Sequence, residues 1–316
     1  QTLHSRASAL VAARLRHLDG EHGDAWLTRW IDGERAHLQR LTGAARITRL
    51  QQMQASIQSH LAKVGSIAPL LSWISVLGDW SGNLQGAAAI AKLDEADALF
   101  ERIRQLAPRD SAALHFAHAY YLRLPSERER SRTAQDAALL QAEQLLARID
   151  TDELPLALVQ LELAEIHLAR ARLCAGAASH GHYTQAAELG IAAARSPENE
   201  ARALTCALTA LVALQSTHAD PARIAALRTL SRRLLELTPS SADALRLSAQ
   251  VHLMGGEHGQ ASEFCNAAWS AGAHRNDVMP VWQQADALWA RELGTPDHHP
   301  HWKRLHQRMR LANSTS

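Results

Sequence analysis

The sequence predicts an all-α protein, an α-solenoid of antiparallel helix pairs with helical caps at its N- and C-terminal ends. Three observations support this prediction. The chain has 316 residues, of which 47% are apolar, so it can form an extended core. Ala, Leu, Arg, Gln and Glu are abundant, and all are strong helix formers. Its 10 prolines and 16 glycines fall mainly between amphipathic stretches, where they end helices.

Charge and hydropathy exclude two classes of partner. Lys+Arg 33 against Asp+Glu 32 gives a formal net charge of +1, which provides no field to attract nucleic acid or an anionic membrane surface. No apolar run reaches the roughly 18 residues that a membrane-spanning helix needs. We therefore expect no nucleic-acid partner and no membrane span.

The cysteines bear on the compartment. Cys174, Cys206 and Cys265 lie far apart within apolar helical patterns, so they predict buried free thiols rather than disulfides or a zinc site. Free thiols favour the cytoplasm. Because the chain begins with Gln1 rather than Met, removal of a leader, and with it a periplasmic or secreted location, stays open, as does a fragment of a larger protein.

Residues 1–62 predict an N-terminal helical segment. Its second helix starts after Asp24 as the N-cap and turns Trp30 and Ile31 inward, and its third carries an apolar stripe as far as Leu61. The regularly spaced small residues that mark the helix pairs later in the chain are missing here. The segment is therefore predicted to form a domain of its own.

Residues 64–91 have Asp79 as their only acidic or basic residue and contain four glycines. They predict a buried helix from Ala68 to Leu77, followed by an irregular loop. Trp73 is expected in the core of that helix. Trp80, beside the glycine-rich loop, is a candidate interface aromatic, since Trp is enriched at binding hot spots.

Residues 94–293 predict a succession of helices separated by proline, glycine or charged stretches. Charged or small polar residues predict loops at 125–133, 174–182 and 216–221. The predicted helices cover 94–107, 111–123, 134–149, 155–174, 183–195, 199–214 and 222–237, then a close pair within 242–275 and a last helix at 278–293.

Small residues recur at fixed spacing in the close pair. Ala249, Gly256, Ala261 and Ala268 match positions 8, 15, 20 and 27 of the tetratricopeptide repeat, a 34-residue helix pair that this stretch resembles. The resemblance extends over about residues 94–275, although Cys265 replaces the usual aromatic at position 24. It implies a repeat domain at 63–277, followed by a C-terminal capping helix and a basic, histidine-containing tail at 278–316.

In tetratricopeptide proteins the first helix of each pair lines a concave groove. The resemblance therefore implies a protein or peptide partner, which would bind at six positions of the present chain. Arg and Gln side chains there can hold a carboxylate or the backbone of an extended peptide. The family's Lys and Asn carboxylate clamp is not reproduced. The implied groove residues are His115, Arg123, Glu165, Arg246, Gln250 and Leu253.

No phosphate loop, nucleophile elbow, zincin or dinucleotide motif occurs, so no catalytic residue, cofactor or metal ion is predicted. The leading hypothesis is a non-enzymatic scaffold or adaptor that binds a protein or peptide. One alternative is a sensor or regulatory domain of a larger regulator or enzyme. A second alternative is metal binding by the C-terminal histidines, since imidazoles can hold Zn²⁺ or Ni²⁺. The residues concerned are Asp297, His298, His299, His301 and His306.

Overall fold

The computed structural model describes residues 20–38, 43–81, 84, 86–107, 111–123, 131–150, 152–215, 221–273 and 275–294. These residues form thirteen helices and no strand, so the all-α prediction is confirmed for this part of the chain. In chain order the helices are α1 Gly20–Leu38, α2 Gly43–Leu61, α3 Ile67–Ser81, α4 Ala87–Leu106, α5 Ala112–Arg123, α6 Arg132–Leu146, α7 Leu156–Leu173, α8 Gly176–Ala193, α9 Glu200–Leu214, α10 Pro221–Leu237, α11 Ala242–Met254, α12 His258–Ser270 and α13 Arg275–Glu292.

Two compact units divide the chain, Gln1–Arg195 and Ser196–Ser316. The domain boundaries predicted at 62/63 and 277/278 do not coincide with this division. In the first unit one core runs from Leu27 on α1 through Trp73 on α3 to Tyr120 on α5, so α1 and α2 are packed into it. These helices bury their apolar faces against α3 and α4, because an amphipathic helix in water needs such a partner.

The second unit has a core of its own around α11, α12 and α13. Ala249, Ala261 and Ala268 are completely buried there, and these small side chains let neighbouring helices approach closely. Trp282 on α13 fills the same core and donates its indole N–H to Ser262 Oγ at 3.0 Å. The hydroxyl of Ser262 in turn donates to buried Asp286. The C-terminal helix is therefore held by apolar packing and by a buried polar chain.

Three helices extend well beyond their predicted bounds. Helix α4 begins at Ala87 rather than at residue 94, so the end of the predicted irregular loop is helical. Helix α3 continues through Gly78 to Ser81, because almost every residue of its last two turns is buried and its backbone bonds must be made within the helix. Helix α8 begins at Gly176, so most of the loop predicted at 174–182 is helical. Alanines supply the helix propensity there, and the Ser179 hydroxyl donates to the Ala171 carbonyl of α7 at 2.8 Å.

None of the helices in the described ranges is long and apolar enough to cross a bilayer. Four predicted features fall outside those ranges: the first helix of the N-terminal segment before residue 20, most of the connector at 125–133, the connector at 216–221 up to residue 220, and the tail from residue 295 with its histidines.

Candidate functional site

The odd-numbered helices of the first unit bring five charged side chains together in what we call the charged strip. Its members come from α1, α3, α5 and α7, and ion pairs join them across the helices. Three carboxylates face two guanidinium groups, so the strip has an excess of negative charge. The members are Arg35 on α1, Asp79 on α3, Arg123 on α5, and Glu162 and Glu165 on α7.

Arg123 lies at the centre of the strip. Its guanidinium donates to both oxygens of Glu162, with Nη2 at 3.1 Å from Oε2, and Nη2 also lies 2.8 Å from Glu165 Oε2. The same group lies over the Tyr120 ring, 5.0 Å from its centroid. Burial alone would lower the pKa of Arg123, but Glu162 and Glu165 outweigh burial and raise it above its ordinary value. Arg123 is therefore permanently charged and fixed in orientation.

Arg35 forms the other end of the strip. Its Nε donates to Asp79 Oδ2 at 2.7 Å, and both side chains keep contact with solvent, 28% and 41% exposed. Burial lowers the pKa of Arg35, but Asp79, Tyr120 and Glu165 together raise it above its usual range. The electrostatic influence of α5 and α7 thus reaches α1.

Local sequence explains why these side chains meet. Glu162 and Glu165 are three residues apart on α7, which places them on one face of the helix. Leu161, Ala164 and Ile166 around them are fully buried, so Glu162 is buried with them at 1% exposure. A buried carboxylate needs a cation, and Arg123 at the end of α5 supplies it.

The structure brings together two of the predicted groove residues, Arg123 and Glu165. Glu162, Arg35 and Asp79 were not predicted as site residues. Glu162 had a usable signal, because a carboxylate inside a nearly continuous apolar helix predicts a buried ion pair. Arg35 and Asp79 had none, since their contact joins helices 44 positions apart.

His115 lies elsewhere, in a cavity of about 610 Å³ between α4, α5 and α6 that we call the α4–α6 cavity. The two sides of α5 therefore differ. One side carries His115, His118 and Tyr121 into the cavity, and the other carries Tyr120 and Arg123 into the strip. Arg123 and His115 were predicted to share a groove, but they contribute to separate features.

The remaining three predicted groove residues belong to α11 in the second unit. Arg246 Nη1 donates to Gln250 Oε1 at 3.3 Å, and Nη2 lies 3.4 Å from Asp243 Oδ1. Leu253 lies one turn further and is half-buried. Arg246 is thus only 18% exposed, and residues of its own helix hold its guanidinium.

Trp80 is not an exposed aromatic, which corrects the expectation drawn from its glycine-rich neighbourhood. It lies inside α3 and is 4% exposed. The Lys92 ammonium sits 4.1 Å from its ring centroid and also donates to Gln54 Oε1 at 2.8 Å and to Glu95 Oε2 at 3.1 Å. Trp80 therefore joins α3 to α4 and is covered on that side.

A pair of histidines joins α7 to α8. His167 Nδ1 and His182 Nδ1 lie 3.2 Å apart, so one ring donates to the other, and Glu143 Oε1 lies 4.0 Å from His167 Nε2. Burial lowers the pKa of His167 and outweighs the opposing effect of Glu143. In the described ranges no group of three or more His, Cys, Asp or Glu residues is arranged to hold a metal ion.

In comparisons with known proteins, no protein-family model and no curated protein matches the chain. The tetratricopeptide resemblance therefore stays a prediction, and the geometry of the described residues carries the functional argument.

Proposed function

We propose that the protein is a non-enzymatic helical scaffold that binds an extended segment of a partner polypeptide along the charged strip. The observation that carries the proposal is the strip itself: two interhelical ion-paired groups, Arg35–Asp79 and Arg123 with Glu162 and Glu165, join charged side chains of four helices. A surface built from several successive helices suits a ligand that is long and extended.

The charge of the strip favours a basic partner segment. Arg123 is saturated by Glu162 and Glu165, whereas Asp79 is the most exposed carboxylate of the five at 41%. A Lys or Arg side chain of the partner can approach Asp79 from solvent and add to its ion pair with Arg35.

The test is quantitative affinity capture with Asp79→Asn as bait beside the unaltered protein. Because Arg35 and Asp79 are partly exposed, at 28% and 41%, the loss of their ion pair should cost about 1 kcal/mol of stability, and a thermal melt verifies that the fold is kept. We expect basic partner segments to be depleted about tenfold, the equivalent of one lost charge-assisted hydrogen bond. Direct titration with the corresponding synthetic peptide gives the affinity.

Glu236→Gln is the matched control. Glu236 is also an exposed carboxylate paired with an arginine, Arg233 at 3.3 Å, but it lies on α10 of the second unit. Partners lost equally from both variants, or retained by Asp79→Asn, would contradict binding at the strip.

The second unit offers its own test of partner binding. Arg246→Gln removes the charge of a half-buried side chain that is bonded within α11, and it should lower partner affinity, while a thermal melt verifies that the fold is kept. Unchanged affinity would remove Arg246 from the groove that the tetratricopeptide resemblance implies.

A second candidate function is a sensor or regulatory domain. One observation favours it, the α4–α6 cavity, because a scaffold that only binds polypeptides needs no cavity of small-molecule size.

A further inference from the structure

The α4–α6 cavity has the size and lining of a small-molecule site. Its volume of about 610 Å³ lies within the ~300–1,000 Å³ range of ligand pockets. Three consecutive helices of one unit form its walls. It lies on the side of α5 opposite to Tyr120 and Arg123, so a ligand in the cavity is independent of polypeptide binding at the charged strip.

One wall of the cavity is aromatic. The rings of Phe100 and Tyr121 stack in parallel, with centroids 4.7 Å apart and an interplanar angle of 5°. The His118 ring lies against Phe100 at 5.1 Å, tilted by 36°. Leu114 and Leu145 complete the apolar lining. A flat aromatic ligand can extend this stack, since offset aromatic pairs gain energy beyond their buried area.

The other side of the cavity carries positive charge. Arg104 is bound to Glu101 at 2.9 Å, so its charge is compensated locally. Arg148 is exposed, and its guanidinium makes no hydrogen bond or ion pair with any residue in the described ranges. A guanidinium in this state can bind a carboxylate through two parallel hydrogen bonds.

His118 is one of the polar groups of the cavity wall. Burial lowers the pKa of His118, and Arg104 and His115 lower it further. Asp97 and Glu101 balance Arg104 and Arg148 in the lining, so attraction for an anion comes from the Arg148 guanidinium rather than from a net positive charge. The Asp97 carboxylate disfavours a doubly charged phosphate relative to a monoanion.

We propose that the α4–α6 cavity binds a small aromatic carboxylate, with its ring against the Phe100–Tyr121 stack and its carboxylate on Arg148. The ring supplies the apolar contact and the single negative charge matches the unpaired guanidinium. The bound ligand would join α4, α5 and α6, and so stabilise their packing.

The experiment is calorimetric titration of the full chain with 2-naphthoate and with 2-naphthamide, its neutral counterpart of equal shape. We expect 2-naphthoate to bind at least about tenfold more tightly, as one charge-assisted bidentate contact requires. Arg148→Gln should remove this preference and leave the affinity for 2-naphthamide unchanged. Because Arg148 is exposed, this variant should keep the fold, which a thermal melt verifies.

Arg232→Gln is the matched control, because Arg232 is an exposed arginine on α10 that also makes no ion pair in the described ranges. It should bind both compounds as the unaltered protein does. A second readout is the NMR titration of His118, whose pKa should rise when 2-naphthoate is bound and stay constant with 2-naphthamide. Absence of binding at millimolar concentration, equal affinity for the two compounds, or an unchanged preference in Arg148→Gln would overturn the proposal.

Discussion

At the scale of single residues, buried charge defines the first unit. Glu162 is 1% exposed, and a carboxylate at such a position is tolerated only because Arg123 binds it with two hydrogen bonds. The pair belongs to the proposed binding surface and at the same time holds α5 against α7. Loss of this ion pair should therefore lower the stability of the fold before it lowers partner binding.

Arg123→Met should lower the free energy of unfolding by about 3–5 kcal/mol, because it removes the guanidinium that donates two hydrogen bonds to the buried Glu162 carboxylate. Urea denaturation measures the change. Adding Glu162→Gln to Arg123→Met should recover part of the loss, since the buried charge is gone. Arg233→Met, which removes an exposed pair with Glu200, is the control and should leave the melting temperature nearly unchanged. A small effect of Arg123→Met would show that the buried pair is not a determinant of stability.

Cys265 should resist alkylation. Burial, together with Asp286, raises the pKa of the Cys265 thiol to about 12, so at pH 8 only about one thiol in 10⁴ is ionised. Cys174, which is only half-buried, should react with iodoacetamide first. Peptide mass spectrometry after timed quenching measures both rates. Equal labelling of the two cysteines in the native protein would contradict this assignment.

At the scale of the helices, the junction between α7 and α8 shows what the sequence could not tell. Glycines and polar residues at 174–182 are typical of a loop, yet α8 begins at Gly176. The tertiary contact of α8 with α7 outweighs the local signal, as it often does for short stretches of weak propensity. Gly176 has φ +64°, whereas Gly181 lies within the helix and has open space where a β-carbon would project.

The two glycines should respond to alanine in opposite directions. Gly176→Ala forces a β-carbon into the left-handed region and should cost about 1 kcal/mol of stability. Gly181→Ala meets no neighbouring atom within 4 Å and should add about 0.5–1 kcal/mol, because it removes the entropic cost of a helical glycine. Thermal melts of the two variants provide the measurement. Stabilisation by both, or destabilisation by both, would contradict the position of the helix start.

At the scale of the whole molecule, the helix succession was accessible from the sequence, because apolar periodicity and proline placement are local signals. The division at residues 195/196 and the shared core of α1 to α5 were not, since both depend on contacts between distant helices. For the same reason, the candidate site could be predicted only in part. Arg123 and Glu165 were predicted through the repeat resemblance, whereas the Arg35–Asp79 contact and the cavity became visible only in the structure.

Acid should destabilise the folded protein through its histidines. The pKa values of His118 and His167 are both lowered in the fold, chiefly by burial. The unfolded chain therefore binds more protons than the folded one below about pH 6.5, the ordinary histidine pKa, and stability falls as the pH falls from there. Above that pH both residues are neutral in the folded and the unfolded state, so they do not make stability depend on pH.

The measurement is a series of thermal melts between pH 7.5 and 5.5. His167→Gln should flatten the decrease, because it removes one of the two residues that must be neutral in the fold. His180→Gln is the control, since His180 is an exposed residue of α8. An equally steep decrease in His167→Gln would exclude that residue as a source of the acid sensitivity.

The contact of Lys92 with the Trp80 ring has a practical consequence. The chain contains only three lysines, Lys63, Lys92 and Lys303, so amine-reactive reagents have few targets. The ammonium of Lys92 is shared among Gln54, Glu95 and the indole, and its side chain is 16% exposed, whereas Lys63 is exposed. An activated ester should therefore acylate Lys63 while Lys92 stays protected, and acylation of Lys92 would record each opening of the α2–α4 region.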